Sequence, residues 1–247
     1  RRRLAVPAPP EPGTVAIVRP DLTGDFVLAS SALGAIREAF EGRQLTLFGH
    51  PSWIPLAEWL QRWGVIGGVR ALANKFAPLA QEDLVMPAGM FDAALQLAHH
   101  ETIVYFAASR TNSVDALLSL PPGRKLAWRG GLGNMLPSRE RSNRSLYDTL
   151  YDVPDAMMPE YVRNARMVKM LDKRAALPER PPVWHIPAEA AEESLAEFKP
   201  GLDAPYIAIS PFTSVPLKDW PLDQYANLLR RLAHAFSGHR LVILGAG

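Results

Sequence analysis

The sequence predicts an α/β protein built on parallel strands, and three observations predict it. Residues 14–48 read strand, helix, strand. Residues 206–244 repeat that order. Between them, residues 178–205 hold six prolines around a charged, helix-like stretch near 188–198. A strand–helix–strand unit closes a parallel pair, and proline-rich polar composition suits a connection between domains. The expected organisation is a disordered leader over residues 1–13, a first domain over 14–177, a linker over 178–205, and the beginning of a second domain over 206–247.

Each element has its own signature. Thr14-Val15-Ala16-Ile17-Val18 is a short apolar run rich in β-branched residues, as buried strands are. From Phe26 to Phe40 the period changes: Leu28/Ala29, Ala32/Leu33, Ile36 and Phe40 fall three or four apart, on one helix face. Glu41-Gly42 stops it, and Leu45-Thr46-Leu47-Phe48 is the next strand. Residues 53–63 and 90–99 read as amphipathic helices. Residues 102–107 read as a strand, 113–120 as a helix and 125–128 as a short strand. Residues 159–172 read as a helix opened by proline. In the second part, 206–210 is a strand, 211–221 a loop, 223–236 a helix and 241–244 a strand. About 45 residues cannot cover both faces of a parallel sheet, so the rest of that second domain is expected to be missing.

Composition excludes several classes. The chain has 247 residues, 48% hydrophobic and 21% charged, which is globular rather than disordered or fibrous. Twenty-seven Lys and Arg against 25 Asp and Glu leave a formal charge of +2, so nucleic acid is not expected as a partner. There is no cysteine, hence no disulfide, thiolate metal site or cysteine nucleophile. No apolar run reaches 18 residues, and the leader after Arg1-Arg2-Arg3-Leu4 turns to proline instead of an apolar signal core. Both ends read as cut.

Two loops carry residues with chemical potential. Arg19-Pro20-Asp21-Leu22-Thr23-Gly24-Asp25 joins the first strand to its helix, at the carboxyl end of a strand, where open α/β sheets bind ligands. Gly24 allows close approach of the backbone. Asp25 stands where the helix begins, either as a base for an incoming hydroxyl or as an N-cap with no catalytic role. The second loop is Ser210-Pro211-Phe212-Thr213-Ser214-Val215-Pro216-Leu217-Lys218-Asp219-Trp220-Pro221. Its hydroxyls and Lys218 precede a helix N-terminus and suit an anion, typically phosphate, or are simply a capped helix beside an exposed lysine.

Together these loops resemble the family 9 glycosyltransferases, the bacterial heptosyltransferases of lipopolysaccharide core assembly. The first matches their Arg-x-Asp-x-x-Gly-Asp opening, with Ser31 where that family has proline. The second is similar to the hydroxyl-rich segment before Lys-x-Trp-Pro, here Lys218-Asp219-Trp220-Pro221. The resemblance implies a GT-B architecture, two Rossmann-like domains facing a cleft. It implies an inverting transfer of a heptose-like sugar from an ADP-sugar donor to a lipid-linked saccharide acceptor. Asp25 would be the general base. Thr213, Ser214 and Lys218 would bind the donor phosphates, and Gly24, Arg19 and Asp21 would line the acceptor side. Lys218 would do at the leaving diphosphate what a metal does elsewhere, so neither metal nor cofactor is expected. The setting implied is cytoplasmic, with peripheral contact at the inner membrane. The family's later Asp-Ser-Gly-x-x-His-type segment has no counterpart before Gly247, so the resemblance implies an incomplete and inactive piece of an enzyme.

Other features have plainer readings. Leu241-Val242-Ile243-Leu244-Gly245-Ala246-Gly247 is a strand followed by Gly-x-Gly, which would open a dinucleotide-binding fingerprint of an oxidoreductase if another glycine followed. A non-catalytic binding protein on the same scaffold is the third reading. His99-His100 and the pair His234 and His239 lack metal-ligand spacing. Arg139, Arg141 and Arg144, near Arg124, Lys125 and Arg129, either meet an acidic acceptor or form a solvated face. Trp53, Trp59 and Trp63 are expected to pack, with an interfacial role as the alternative.

Overall fold

The computed structural model describes residues 9–64, 69–71, 94–108, 110–129, 135–152, 157–175, 183–196, 204–211 and 219–244. The chain divides into two compact units, Arg1–His185 and Ile186–Gly247.

In the first unit, β1 (Glu11–Arg19) runs into helix α1 (Thr23–Ser30) and α2 (Leu33–Ala39). Then come β2 (Gln44–Gly49), α3 (Ile54–Arg62), β3 (Val69–Ala71) and β4 (His100–Tyr105). They are followed by α4 (Asn112–Leu118), β5 (Arg124–Trp128), α5 (Pro137–Asn143), β6 (Thr149–Tyr151) and α6 (Glu160–Leu171). The six strands form one sheet in the order β3-β2-β1-β4-β5-β6, with every pairing parallel. The order reverses between β1 and β4, and loops leaving the carboxyl ends of these two strands diverge to opposite faces. That is the position at which open α/β sheets hold ligands.

The alternation of β1 assigns its two faces. Val15 and Ile17 enter one apolar cluster with Phe26, Ile36, Leu60, Val104, Phe106, Trp128 and Val168. Ala16 and Val18 enter the other with Leu97, Ile103, Tyr105, Val114, Leu117 and Leu118. Both sets are essentially inaccessible to water. A strand buried on both faces must be apolar throughout, which is what residues 15–18 are. Helices α1, α2, α3 and α6 cover the first face, and α4 covers the second.

In the second unit, α7 (Ala188–Ala196) precedes β7 (Tyr206–Ile209), α8 (Leu222–Ala235) and β8 (Arg240–Ile243). The two strands pair in parallel, Tyr206 with Arg240 through Ile209 with Ile243. Helix α8 has no buried residue, and Leu222, Phe236, Ile243 and Leu244 are all exposed.

Several details differ from the sequence expectation. Strand β1 starts at Glu11, inside the expected leader, because its amide pairs with the His99 carbonyl at 2.8 Å. The single helix expected over 26–40 is two. The hydroxyls of Ser30 and Ser31 bond back to the Val27 and Leu28 carbonyls at 2.7 and 3.1 Å, and such bonds compete with helix continuation. Strands β3 and β6 and helix α5 had no expectation at all. Pro159 is the N-cap of α6 rather than its first helical residue. Of the helix expected over 90–99, residues 94–98 are helical and 90–93 lie outside the described residues.

Candidate functional site

The turn after β1 sits at the reversal of strand order, held from behind by a buried cation. Arg19 ends β1 and is 3% exposed. Its Nη1 donates to the Phe106 carbonyl at 3.0 Å and to Asn164 Oδ1 at 3.2 Å, and its Nη2 lies 3.3 Å from Asp21 Oδ2 and 3.9 Å from Glu160. One guanidinium thus ties β1, the end of β4 and the first turns of α6 together. Arg19 stands behind the turn, and it meets the outside through Asp21. Burial pushes the Asp21 carboxyl above the usual range, the Arg19 charge opposes this, and the Asp25 and Glu160 carboxylates add to it.

Asp25 is exposed and lies in the first turn of α1. The N-cap position is Leu22, which has no side chain to cap with, so the capping role set against catalysis does not fall to Asp25. Among the described residues no hydrogen bond or ion pair engages its carboxylate. The helix N-terminus favours a negative charge there. Gly24 has open space where a side chain would stand.

The neighbouring turn after β2 leans on this one. Trp53, fully buried, donates Nε1–H to the Asp21 carbonyl at 2.9 Å, and its ring stacks on Phe26 with centroids 4.3 Å apart and planes 2° from parallel. The Thr23 hydroxyl donates to the Ser52 carbonyl at 3.1 Å. Gly49 is what lets Trp53 lie there: a Cβ on it would stand 1.5 Å from the indole. Trp53 is a packing residue, and its burial leaves none of it for a membrane interface.

A second polar cluster lies beyond the carboxyl ends of β4 and β5, and no sequence motif announced it. Arg110 (1% exposed) pairs with Asp115 (0%) and Glu140, each at 3.2 Å, under the Tyr147 ring. Asp115 also accepts from the Tyr147 hydroxyl and from Asn143 Nδ2. Burial raises the Asp115 carboxyl, although its three donors oppose this. The hydrogen bonds from Arg144 hold Glu140 low. Arg110 and Asp115 flank the start of α4, and Glu140 lies a further 25 residues on, so no local spacing links them. The i,i+4 pair Glu140 and Arg144 was the one legible trace.

The arginines singled out with Arg144 do not form one patch. Arg124 and Lys125 begin β5, whereas Arg129 and α5 follow its end, a separation of roughly 13 Å. Arg144 is engaged by Glu140 and Arg129 by Asp152 at 3.1 Å, while Arg139 and Arg141 are exposed. His100 is buried against Phe48. Thr213, Ser214 and Lys218 lie outside the described residues, as do Gly245, Ala246 and Gly247.

The fold and this turn define an α/β protein that presents a carboxylate at the switch point of a parallel sheet. Residues 140–246 match the model of glycosyltransferase family 9 (heptosyltransferase), a span that contains the Lys218-Asp219-Trp220-Pro221 loop and begins after the Asp25 turn. Over these residues the chain is similar to the glycosyltransferases of family 9. Its fold is similar to that of E. coli heptosyltransferase WaaC with ADP-2-deoxy-2-fluoro heptose, at TM-score 0.64 and 16% identity over 95% of this chain and 69% of that one. It is similar also to a family 9 glycosyl transferase from Veillonella parvula (TM-score 0.62, 11% identity, 96% and 63%). E. coli ADP-heptose lps heptosyltransferase II is a third (0.59, 14%, 95% and 65%). The chain therefore spans about two thirds of the length of these proteins. No curated protein matches it.

Proposed function

We propose that the chain is part of an inverting glycosyltransferase that moves a heptose-like sugar from an ADP-sugar to a lipopolysaccharide-core or similar saccharide acceptor. The observation that carries this reading is the Asp25 carboxylate, exposed and without a partner among the described residues, at the switch point of the sheet. Support comes from the family match over 140–246 and from the ADP and ADP-2-deoxy-2-fluoro heptose named in the related WaaC structures.

In this reading an acceptor hydroxyl oxygen attacks the anomeric carbon of the donor. Its proton passes to the Asp25 carboxylate. The bond from the anomeric carbon to the diphosphate oxygen breaks, the configuration inverts, and ADP leaves with the electron pair. Thr213, Ser214 and Lys218 hold the diphosphate, and the Lys218 ammonium offsets its growing charge. The first unit takes the acceptor at Gly24, Asp21 and the Arg19-supported turn. The second unit opens the nucleotide-sugar domain. The work is done on the cytoplasmic side, with peripheral contact to a membrane that carries the acceptor; among the described residues no helix is long and apolar enough to cross one.

The test is Asp25→Asn in a full-length form of the enzyme, with ADP release from ADP-heptose and a saccharide acceptor as the readout. Turnover falls by orders of magnitude while calorimetric ADP affinity is kept. Turnover within about tenfold of the parent would place the base elsewhere. Lys218→Ala weakens ADP binding in the same calorimeter, and an unchanged Kd would remove it from the phosphate site.

A further inference from the structure

We infer that Trp53 and Thr23 are positioning residues for Asp25, and this rests on the reading of Asp25 as the base. A base must be held at hydrogen-bond reach of the proton it takes, and carboxylates are ordinarily held by hydrogen bonds of their own. Asp25 has none among the described residues, so its main chain alone fixes it. That main chain is bolted on both sides to one neighbouring turn. Two residues before Asp25, the Thr23 hydroxyl is bonded to the Ser52 carbonyl, and four before it the Asp21 carbonyl is bonded to Trp53. One residue after it, the Phe26 ring is stacked on the same Trp53. The anchors are consecutive residues of the turn between β2 and α3, and the space they need is kept by Gly49. The arrangement fixes the carboxylate from the outside and leaves both of its oxygens for substrate.

The experiment is hydrogen exchange on the full 247-residue chain, read at the Phe26 amide, which is bonded to the Leu22 carbonyl at 3.1 Å, and at the two amides after it. Local opening sets such rates. Thr23→Val removes the hydroxyl at nearly constant volume on the surface, so the fold survives. Trp53→Phe keeps a ring against Phe26 and releases the Asp21 carbonyl. Both speed exchange at these amides by roughly three- to tenfold, the worth of one hydrogen bond, with β4 and α4 unchanged. Thr23→Ser, which restores the hydroxyl, restores the parent rate. Unchanged exchange at Phe26 in both variants overturns the inference, and so does an equal acceleration throughout the sheet, which would mark general packing. The base reading fails separately: an active Asp25→Asn beside a responsive Thr23→Val would leave the brace standing without a base to hold.

Discussion

The two units repeat one chain order and differ in what covers it. In the first, β1 is apolar on both faces and helices close over both. In the second, β7 and β8 carry the same apolar character, yet Ile243 is 58% exposed and α8 buries nothing. The lesson is that periodicity reports which face a segment would bury. It does not report how far that face is buried. Most helical stability in proteins comes from that packing rather than from propensity, so equal patterns can differ widely in stability.

The comparison can be broken most forcefully at the buried ion cluster. Asp115→Ala takes from the buried Arg110 guanidinium one of its two carboxylates and from the Tyr147 hydroxyl its acceptor, and should lower the stability of the first unit by about 3–5 kcal/mol. Urea unfolding followed by tryptophan fluorescence measures it, and a change below about 1 kcal/mol would mean that the cluster is solvated. Next in size is a matched pair of truncations. Ile17→Ala, in the middle of β1, should cost about 2–5 kcal/mol. Ile243→Ala, on the open strand of the second unit, should stay within about 0.5 kcal/mol. Equal losses would abolish the contrast between the units.

The smallest effect is a pH dependence confined to the first unit. Burial lowers the His100 pKa below its ordinary 6.5, against the hydrogen bond to the Gln96 carbonyl and the more distant Glu11 charge. The unfolded chain therefore binds a proton that the folded chain refuses. The stability contributed by neutral His100 is complete above pH 6.5 and is lost as pH falls through the lower folded value. Urea midpoints taken between pH 7.5 and 5 should fall on acidification, and His100→Gln should flatten that part of the curve. An identical slope in the variant would assign it to other groups.

What was legible in the sequence follows the same logic. Strands β1, β2, β4 and β5 were readable because each gathers three or more apolar residues within a span of four or five. Val69-Arg70-Ala71 and Thr149-Leu150-Tyr151 are three residues each, too short for any period, and they exist because a neighbouring strand offers its edge. Helix α5 has no apolar face, and Glu140 holds it to Arg110 from within. At the site, the Asp25 turn was readable as a motif after a strand. Its brace was not, since Trp53 and Asp21 are 32 residues apart. Arg19 was expected to line the acceptor side, and only the fold shows it enclosed behind the turn.

The ties of Arg19 also fix a schedule. Its partners are the carbonyl of Phe106, 87 residues away, and Asn164, 145 residues away. A ribosome adding roughly 5–20 residues per second takes on the order of ten to thirty seconds to travel from the first to the last of these. Throughout that interval the nascent turn that bears Asp25 carries a cation destined for burial and no counter-charge from α6 to receive it. The turn that bears Asp25 is therefore made well before the contacts that finish it.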